Sequence, residues 1–310
     1  PTAEFTAPAG FDVNALESLP GVRRVLYLDF DGYVTNDPYW NSGAPPWPGV
    51  SAPYPGTKAQ KYEIWRRVAE DFAPFGVNVT TRDPGVEGLR KTSATDDAYG
   101  QRMVISPTNW TGDQYTLGIA LVDVFDMDDH PAYVFTAGLS VAHVAEAVSH
   151  EAGHTFGLDH DGIGGLGYYD GHGVWAPIMG RPLSMPVTQW SRCEYDKATN
   201  TENDVAIIAG HVGYRTDEAG SAPGSAKMVA CATKVQGIIG SGDTDMYAAD
   251  VGAGTLTVTL APAEPWTNLL ARLVVRGPTG ALVGADDPAT PTGWSTTVSR
   301  SVSAGRYTFH

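Results

Sequence analysis

The chain has 310 residues, enough for one large domain or a large and a small one, and 42% of them are hydrophobic. Its formal net charge of -15 argues against a nucleic-acid or anionic-membrane partner, which would need clustered Lys and Arg. No apolar run approaches the roughly 18 residues of a membrane-spanning helix, so membrane insertion is not expected.

From the N-terminus, VRRVLYLDF (Val22 to Phe30) has the β-branched and aromatic character of a buried strand, ended by Asp31 and Gly32. A Pro/Gly/Trp-rich loop from Asn36 to Pro55 follows. KYEIWRRVAEDFAPF then places Ile64, Trp65, Val68, Ala69 and Phe72 at helical spacing before Pro74. Short strands are predicted at Val77 to Thr81, Arg102 to Ser106 and Leu117 to Val124, which together suggest a mixed α/β layer. The second strong helix runs from Ser140 to Phe156. After a Gly/Tyr-rich loop and WAPIMG, TENDVAII predicts a third helix capped by Thr201 or Asn203. Beyond His211 the texture changes: AGSAPGSA reads as a linker, and runs such as TLTVTL and ARLVVRG as short antiparallel strands. The fold class is therefore an α/β (α+β) domain with a mixed sheet at 1–215, a linker at 216–226 and a small all-β sandwich at 227–310. The chain stops at RYTFH inside an expected strand, so truncation of the last domain is an expectation, as is removal of any targeting or pro-segment before Pro1.

The helix Ser140 to Phe156 carries the chemistry. Residues i and i+4 of a helix share a face, so His150 and His154 can aim two imidazoles at one ion. Glu151 stands about 100° round from His150, beside such an ion rather than on it. A catalytic zinc keeps three protein ligands and one open position. Gly157 suits a left-handed helix end that swings the chain back, bringing Leu158, Asp159, His160 and Asp161 into reach. Spacing alone leaves both His160 and Asp161 as third ligand. The bland alternative is two satisfied helix histidines and an ordinary glycine cap.

Other histidines carry less. His143 lies two turns before His150, about 10 Å away, too far to share the ion. His172 is a candidate substrate contact, although a loop histidine is more often plain surface, and His130 and His211 carry no signal. The acidic run DVFDMDDH (Asp123 to His130) and the pair Asp29 and Asp31 are candidates for Ca2+, without EF-hand spacing; a solvated acidic loop explains them equally well.

The full pattern HExxHxxGxxH is the signature of metzincin zinc metalloproteases, and His150, Glu151, His154, Gly157 and His160 match it. That resemblance implies His160 as the third ligand, Met179 in APIMG as the Met-turn, and Asp161 as a hydrogen-bonding residue behind the ligands. More widely, YLDFDG, IWRRVAEDFAPFGVNVTT, SHEAGHTFGLDHDG, GHGVWAPIMG and QWSRCEY resemble a family of secreted bacterial metalloproteases with a reprolysin-like catalytic domain, over most of residues 20 to 212. The tail GSGDTDMYAADVGAGTLTVTL and NLLARLVVRGPTGALVGADDP resembles the pre-peptidase C-terminal domain, a small β-sandwich.

The resemblance implies a secreted, zymogen-derived zinc endopeptidase with Glu151 as general base and protein or peptide substrates; nothing in the sequence suggests more than a monomer. Substrate would add to an edge strand, for which LGIALVDVF (Leu117 to Phe125) is the candidate, with selectivity from a pocket lined by Pro182 to Trp190. Two departures stand out. Arg181 occupies the place two residues past the Met where astacin-like and serralysin-like members carry a tyrosine. Cys193 stands where the family favours Gly, and in an oxidising compartment a Cys193–Cys231 disulfide is implied, against two unpaired buried cysteines. The rival reading is a protein- or surface-binding module with a structural or silent zinc site, and a zinc hydrolase of a non-peptide bond is a second.

Overall fold

The computed structural model describes residues 8–42, 49–183, 185–240, 242–263, 268–287 and 295–310. Residues 43–48 of the Pro/Gly/Trp loop, Ser184 of the expected pocket stretch and Pro288 of the tail lie outside the described residues. The chain divides into two units, Pro1–Tyr214 and Arg215–His310.

The first unit runs β1 (Arg24–Asp29), β2 (Tyr33–Val34), α1 (Pro38–Ser42), β3 (Val50–Ser51), α2 (Lys58–Asp71), β4 (Asn78–Thr80), β5 (Tyr99–Ser106), β6 (Gly118–Ile119), β7 (Ala132–Phe135), α3 (Val141–Thr155), β8 (Trp175–Pro177), β9 (Val187–Gln189) and α4 (Asp204–Val212). Five strands form one sheet in the order β4-β1-β5-β7-β6, parallel except for the antiparallel edge strand β6. Alternate residues of a strand face opposite sides. Leu26, Leu28, Met103, Ile105 and Val134 therefore share a core with Ile64 and Val68 of α2 and with Val144, Val148 and Ala152 of α3. Val104, Tyr133 and Phe135 turn the other way, into a cluster with Trp40 and Trp110.

The helices start where their caps lie. Thr57 and Gln60 form a capping box that begins α2 three residues before KYEIW, Ser140 accepts from His143 N at the start of α3, and Asn203 caps α4. Several elements differ from expectation: α1 and β3 fall within the expected Asn36 to Pro55 loop, and β2, β8 and β9 are short strands that the pattern did not mark. AYVF of β7, unpredicted behind the acidic run, is fully buried at the heart of the sheet. LGIALVDVF contributes only Gly118 and Ile119 to the ladder, because Asp123 N donates to His154 O (3.0 Å) and Val124 and Phe125 N to Thr155 O (2.9 and 2.8 Å). The stretch leaves the sheet to satisfy the last carbonyls of α3, which have no partner inside the helix.

The second unit contains β10 (Lys227–Met228), β11 (Tyr247–Val251), β12 (Gly254–Leu260), β13 (Leu273–Arg276), β14 (Leu282–Asp286), β15 (Thr296–Val302) and β16 (Gly305–Phe309). They form the sheets β10-β11-β16-β13-β14 and β12-β15. Leu273, Val275, Val298 and Tyr307 are its buried centre, with Leu256 and Val258 of the TLTVTL run packed on them. Residues 216–226, expected as a linker, are part of this unit: Met246 N donates to Gly220 O (3.1 Å), and Ser221 Oγ to Asp243 Oδ1 (3.2 Å). The described residues thus form a mixed α/β chain with several sheets and four α-helices, none of them long and apolar enough to cross a membrane.

Candidate metal centre

The helix α3 brings His150 and His154 to one face, and the chain after it brings the third imidazole back. Gly157 adopts φ +96°, the left-handed conformation that ends helices and favours glycine. Leu158 N then donates to Gly153 O at 3.1 Å, and two residues later His160 stands over the helix, its ring 4.7 Å from that of His154 and 5.2 Å from that of His150. Each of the three offers a nitrogen within 4.8 Å of the others.

Main-chain carbonyls orient the two helical ligands. His150 Nδ1 donates to Ile178 O (2.8 Å) and His154 Nδ1 to Leu158 O (2.7 Å). A carbonyl only accepts, so the protons sit on Nδ1 and both Nε2 lone pairs are free, as a metal-binding imidazole requires. Burial, then the neighbouring His154 and His160, push His150 down to about 3, and burial lowers His154 and His160 as well. His154 Nε2 lies 2.9 Å from His160 Nε2. Two imidazole nitrogens this close need a proton or a cation between them, and three neutral nitrogen donors around one point suit a zinc ion with an open position.

Met179 is completely buried, with its Sδ against Gly153 of α3. A Cβ on Gly153, between the two helical histidines, would stand 2.4 Å from Met179 Sδ, so only glycine lets the methionine turn pack there. The same turn holds the third-ligand segment, since Asp161 N donates to Met179 O at 2.9 Å.

Glu151 is 7% exposed, and burial pushes its carboxyl up to about 8. A Cβ on Gly118 would come within 2.5 Å of Glu151 Cγ and Oε1, so the edge strand β6 approaches this carboxylate through a glycine. Tyr168, from the Gly-rich loop, was not singled out by the sequence pattern. Its hydroxyl lies 3.3 Å from His160 Nε2, and burial together with the charge of Glu151 keeps its phenol protonated above the ordinary value. The signal that marks it is an aromatic pair, Tyr168 and Tyr169, within reach of the third histidine.

The remaining expected residues fall elsewhere. Asp161 is fully buried, where Oδ2 accepts from Ser191 Oγ (2.8 Å) and Oδ1 lies 3.8 Å from the Cys193 thiol, so its carboxylate serves this cluster rather than a histidine or main-chain group. His172 is exposed and bonds the Tyr169 hydroxyl through Nδ1 at 2.8 Å, outside the triad. His143 Nε2 donates to Leu183 O at 2.6 Å.

The implied Cys193–Cys231 disulfide is not formed: both thiols are free. Each has a partner in its own unit, Cys193 on Asp161 and Glu202 O (3.6 Å), Cys231 on Asp250 O (3.7 Å). Cys193 has φ +59°, a left-handed conformation that favours glycine.

The proposed calcium carboxylates are not gathered on a point; most of them meet basic side chains, and Asp123 lies 3.7 Å from His211 Nε2. Asp29 and Asp129 meet Arg102 (2.7 and 3.5 Å), Asp31 meets Lys61 (3.8 Å), Asp126 meets Lys91 (2.8 Å) and Asp128 meets Arg90 (2.7 Å). Among the described residues, the groups with metal-ligand spacing are the three histidines and Asp217, Asp243 and Asp245 of the second unit. Comparison with protein-family models returns no match, and none is found among curated proteins.

Proposed function

We propose that the chain is a zinc-dependent endopeptidase of the metzincin kind, hydrolysing peptide bonds at the His150, His154 and His160 centre. One observation carries this reading: three neutral, convergent imidazoles stand beside a buried carboxylate, Glu151, that itself abuts an exposed sheet edge. A structural metal site has no use for a base next to an open position.

Zinc, when bound, supplies a Lewis acid for the scissile carbonyl and for water at neutral pH. The chain's own residues do the rest. Substrate binds extended along β6, gaining main-chain hydrogen bonds as an added antiparallel strand. Glu151 takes the proton of the attacking water and delivers it to the leaving amine nitrogen. Its burial raises the carboxyl's affinity for a proton, which suits a group that has to take one from water before passing it on. Export and activation from a zymogen belong to the same reading and rest on the sequence resemblance, as does a pre-peptidase C-terminal role for the second unit.

The test compares wild type and Glu151→Gln on unfolded casein, with zinc measured in both by elemental analysis. The expected result is about one zinc per chain in each and a loss of roughly 10²- to 10⁴-fold in kcat for the variant. Wild type that holds zinc and cleaves no peptide would point to a binding module instead.

A further inference from the structure

We propose that Tyr168 is a catalytic residue of this centre: its phenol donates a hydrogen bond to the carbonyl oxygen of the scissile peptide as that oxygen gains charge. The inference rests on the peptidase reading and supplies a donor that the zinc-binding pattern does not contain.

Its position makes the case. The Tyr168 hydroxyl lies 3.3 Å from His160 Nε2, and the tyrosine ring is 4.4 Å from the His160 ring and 6.3 Å from that of His150. The nitrogen it touches is the one that completes the triad. Once His160 Nε2 turns its lone pair to an ion, that lone pair is lost to the phenol, and an O–H at the rim of the centre has to find another oxygen. The substrate carbonyl is the acceptor whose charge grows during the reaction, so a bond to it strengthens in the transition state and accelerates the step. No proton leaves the phenol and no bond to carbon forms.

The backbone holds the side chain there. Tyr169 N donates to Asp161 O (2.7 Å) and Arg181 N to Tyr169 O (2.9 Å), pinning the loop to the third-ligand segment on one side and to the methionine turn on the other. Gly180 permits that approach, since a Cβ on it would stand 2.4 Å from Tyr169 O. Arg181, two residues past Met179, is drawn away by two bonds to Asp170 at 2.7 and 2.9 Å. The Tyr168 side chain is 44% exposed, open toward an arriving chain rather than sealed in the core.

The experiment uses the zinc-loaded full chain and its Tyr168→Phe variant, with a peptide substrate and a phosphinate peptide whose tetrahedral anionic oxygens stand where the charge develops. Expected for the variant are a kcat about 100-fold lower, KM within about twofold, and phosphinate binding weakened about 10- to 100-fold by calorimetry. Zinc content and melting temperature should match wild type, which separates this role from a structural one. Unchanged kcat and unchanged phosphinate Kd would overturn the assignment, as would a rise in KM alone. If wild type cleaves no peptide, the peptidase reading fails, while the phosphinate comparison still decides whether the phenol faces an anionic oxygen at the triad.

Discussion

Each unit gathers three ligand-type side chains at one point, and the two gatherings are built on opposite principles. His150, His154 and His160 in the first unit, and Asp217, Asp243 and Asp245 in the second, each bring ligand atoms within 4.8 Å of one another. The imidazoles stay neutral, so they can be packed together without repelling, and carbonyls behind His150 and His154 aim their Nε2 lone pairs. The aspartates carry charge. They are tied to turns of their own chain, Asp217 Oδ1 to Ala219 N (2.9 Å) and Asp243 Oδ1 to Thr244 N (2.7 Å), and Asp245 is forced toward its protonated form. Closeness of donors is common to both; the orienting carbonyls behind His150 and His154 and the buried Glu151 beside them set the first gathering apart.

The largest test breaks the first gathering and leaves the second alone. His154→Ala should empty the chain of zinc and cost several kcal/mol of transition-state stabilisation, about 10³-fold or more in kcat/KM. Asp243→Asn should change neither zinc content nor cleavage. Zinc retained by His154→Ala, or lost from Asp243→Asn, in elemental analysis would invert the assignment.

Next in size is a substitution that would make carboxylates of the first unit resemble those of the second. Arg102, 6% exposed, neutralises Asp29 and Asp129 from the middle of the sheet. Arg102→Ala strands two buried charges and should lower unfolding free energy by about 3–5 kcal/mol, read from urea denaturation. A loss below about 1 kcal/mol would mean that water reaches these carboxylates after all.

A smaller effect reads the crowding in the second unit directly. Burial, then the charges of Glu218, Asp243 and Asp217, raise Asp245 from its ordinary 3.8 to about 6. The native state therefore holds this proton more tightly than the unfolded chain. Stability from it is complete below pH about 4 and gone once pH has risen through about 6. Unfolding followed at pH 5 and pH 8 should show the second unit weaker at pH 8, and Asp245→Asn should remove that difference, an effect of about 1 kcal/mol. Equal pH dependence in variant and wild type would place the titration elsewhere.

Much of this was legible because it is local. The i, i+4 histidines, the glycine three residues on and the Ser140 and Asn203 caps are all fixed by helix geometry within a few residues. What escaped depends on distant partners. Arg102 finds Asp29 across 73 positions of sequence. AYVF, which the sequence pattern did not mark, is a strand held between β5 and β6. Tyr168 looks like loop filler until the bonds of Tyr169 to Asp161 and Arg181 set it beside His160. The stretch 216–226 has the composition of a linker, yet its polar side chains cap turns of the second unit.

The cysteines give the mildest contrast between the units. Cys193 is half-buried, and burial, then the charges of Asp161 and Asp204, push its thiol up to about 11. Cys231 is exposed. Alkylation requires thiolate, so iodoacetamide at pH 8 should label Cys231 first and Cys193 at least about tenfold more slowly, with both labelled at once in denaturant. Peptide mass spectrometry of the native chain reads the order. Two thiols that resist labelling in denaturant until a reductant is added would restore the disulfide, and with it a covalent tie between the units that the free thiols deny. Labelling in the expected order leaves each cysteine to its own unit, and leaves Cys193 as a side chain held at a left-handed position by the buried Asp161 behind the third histidine.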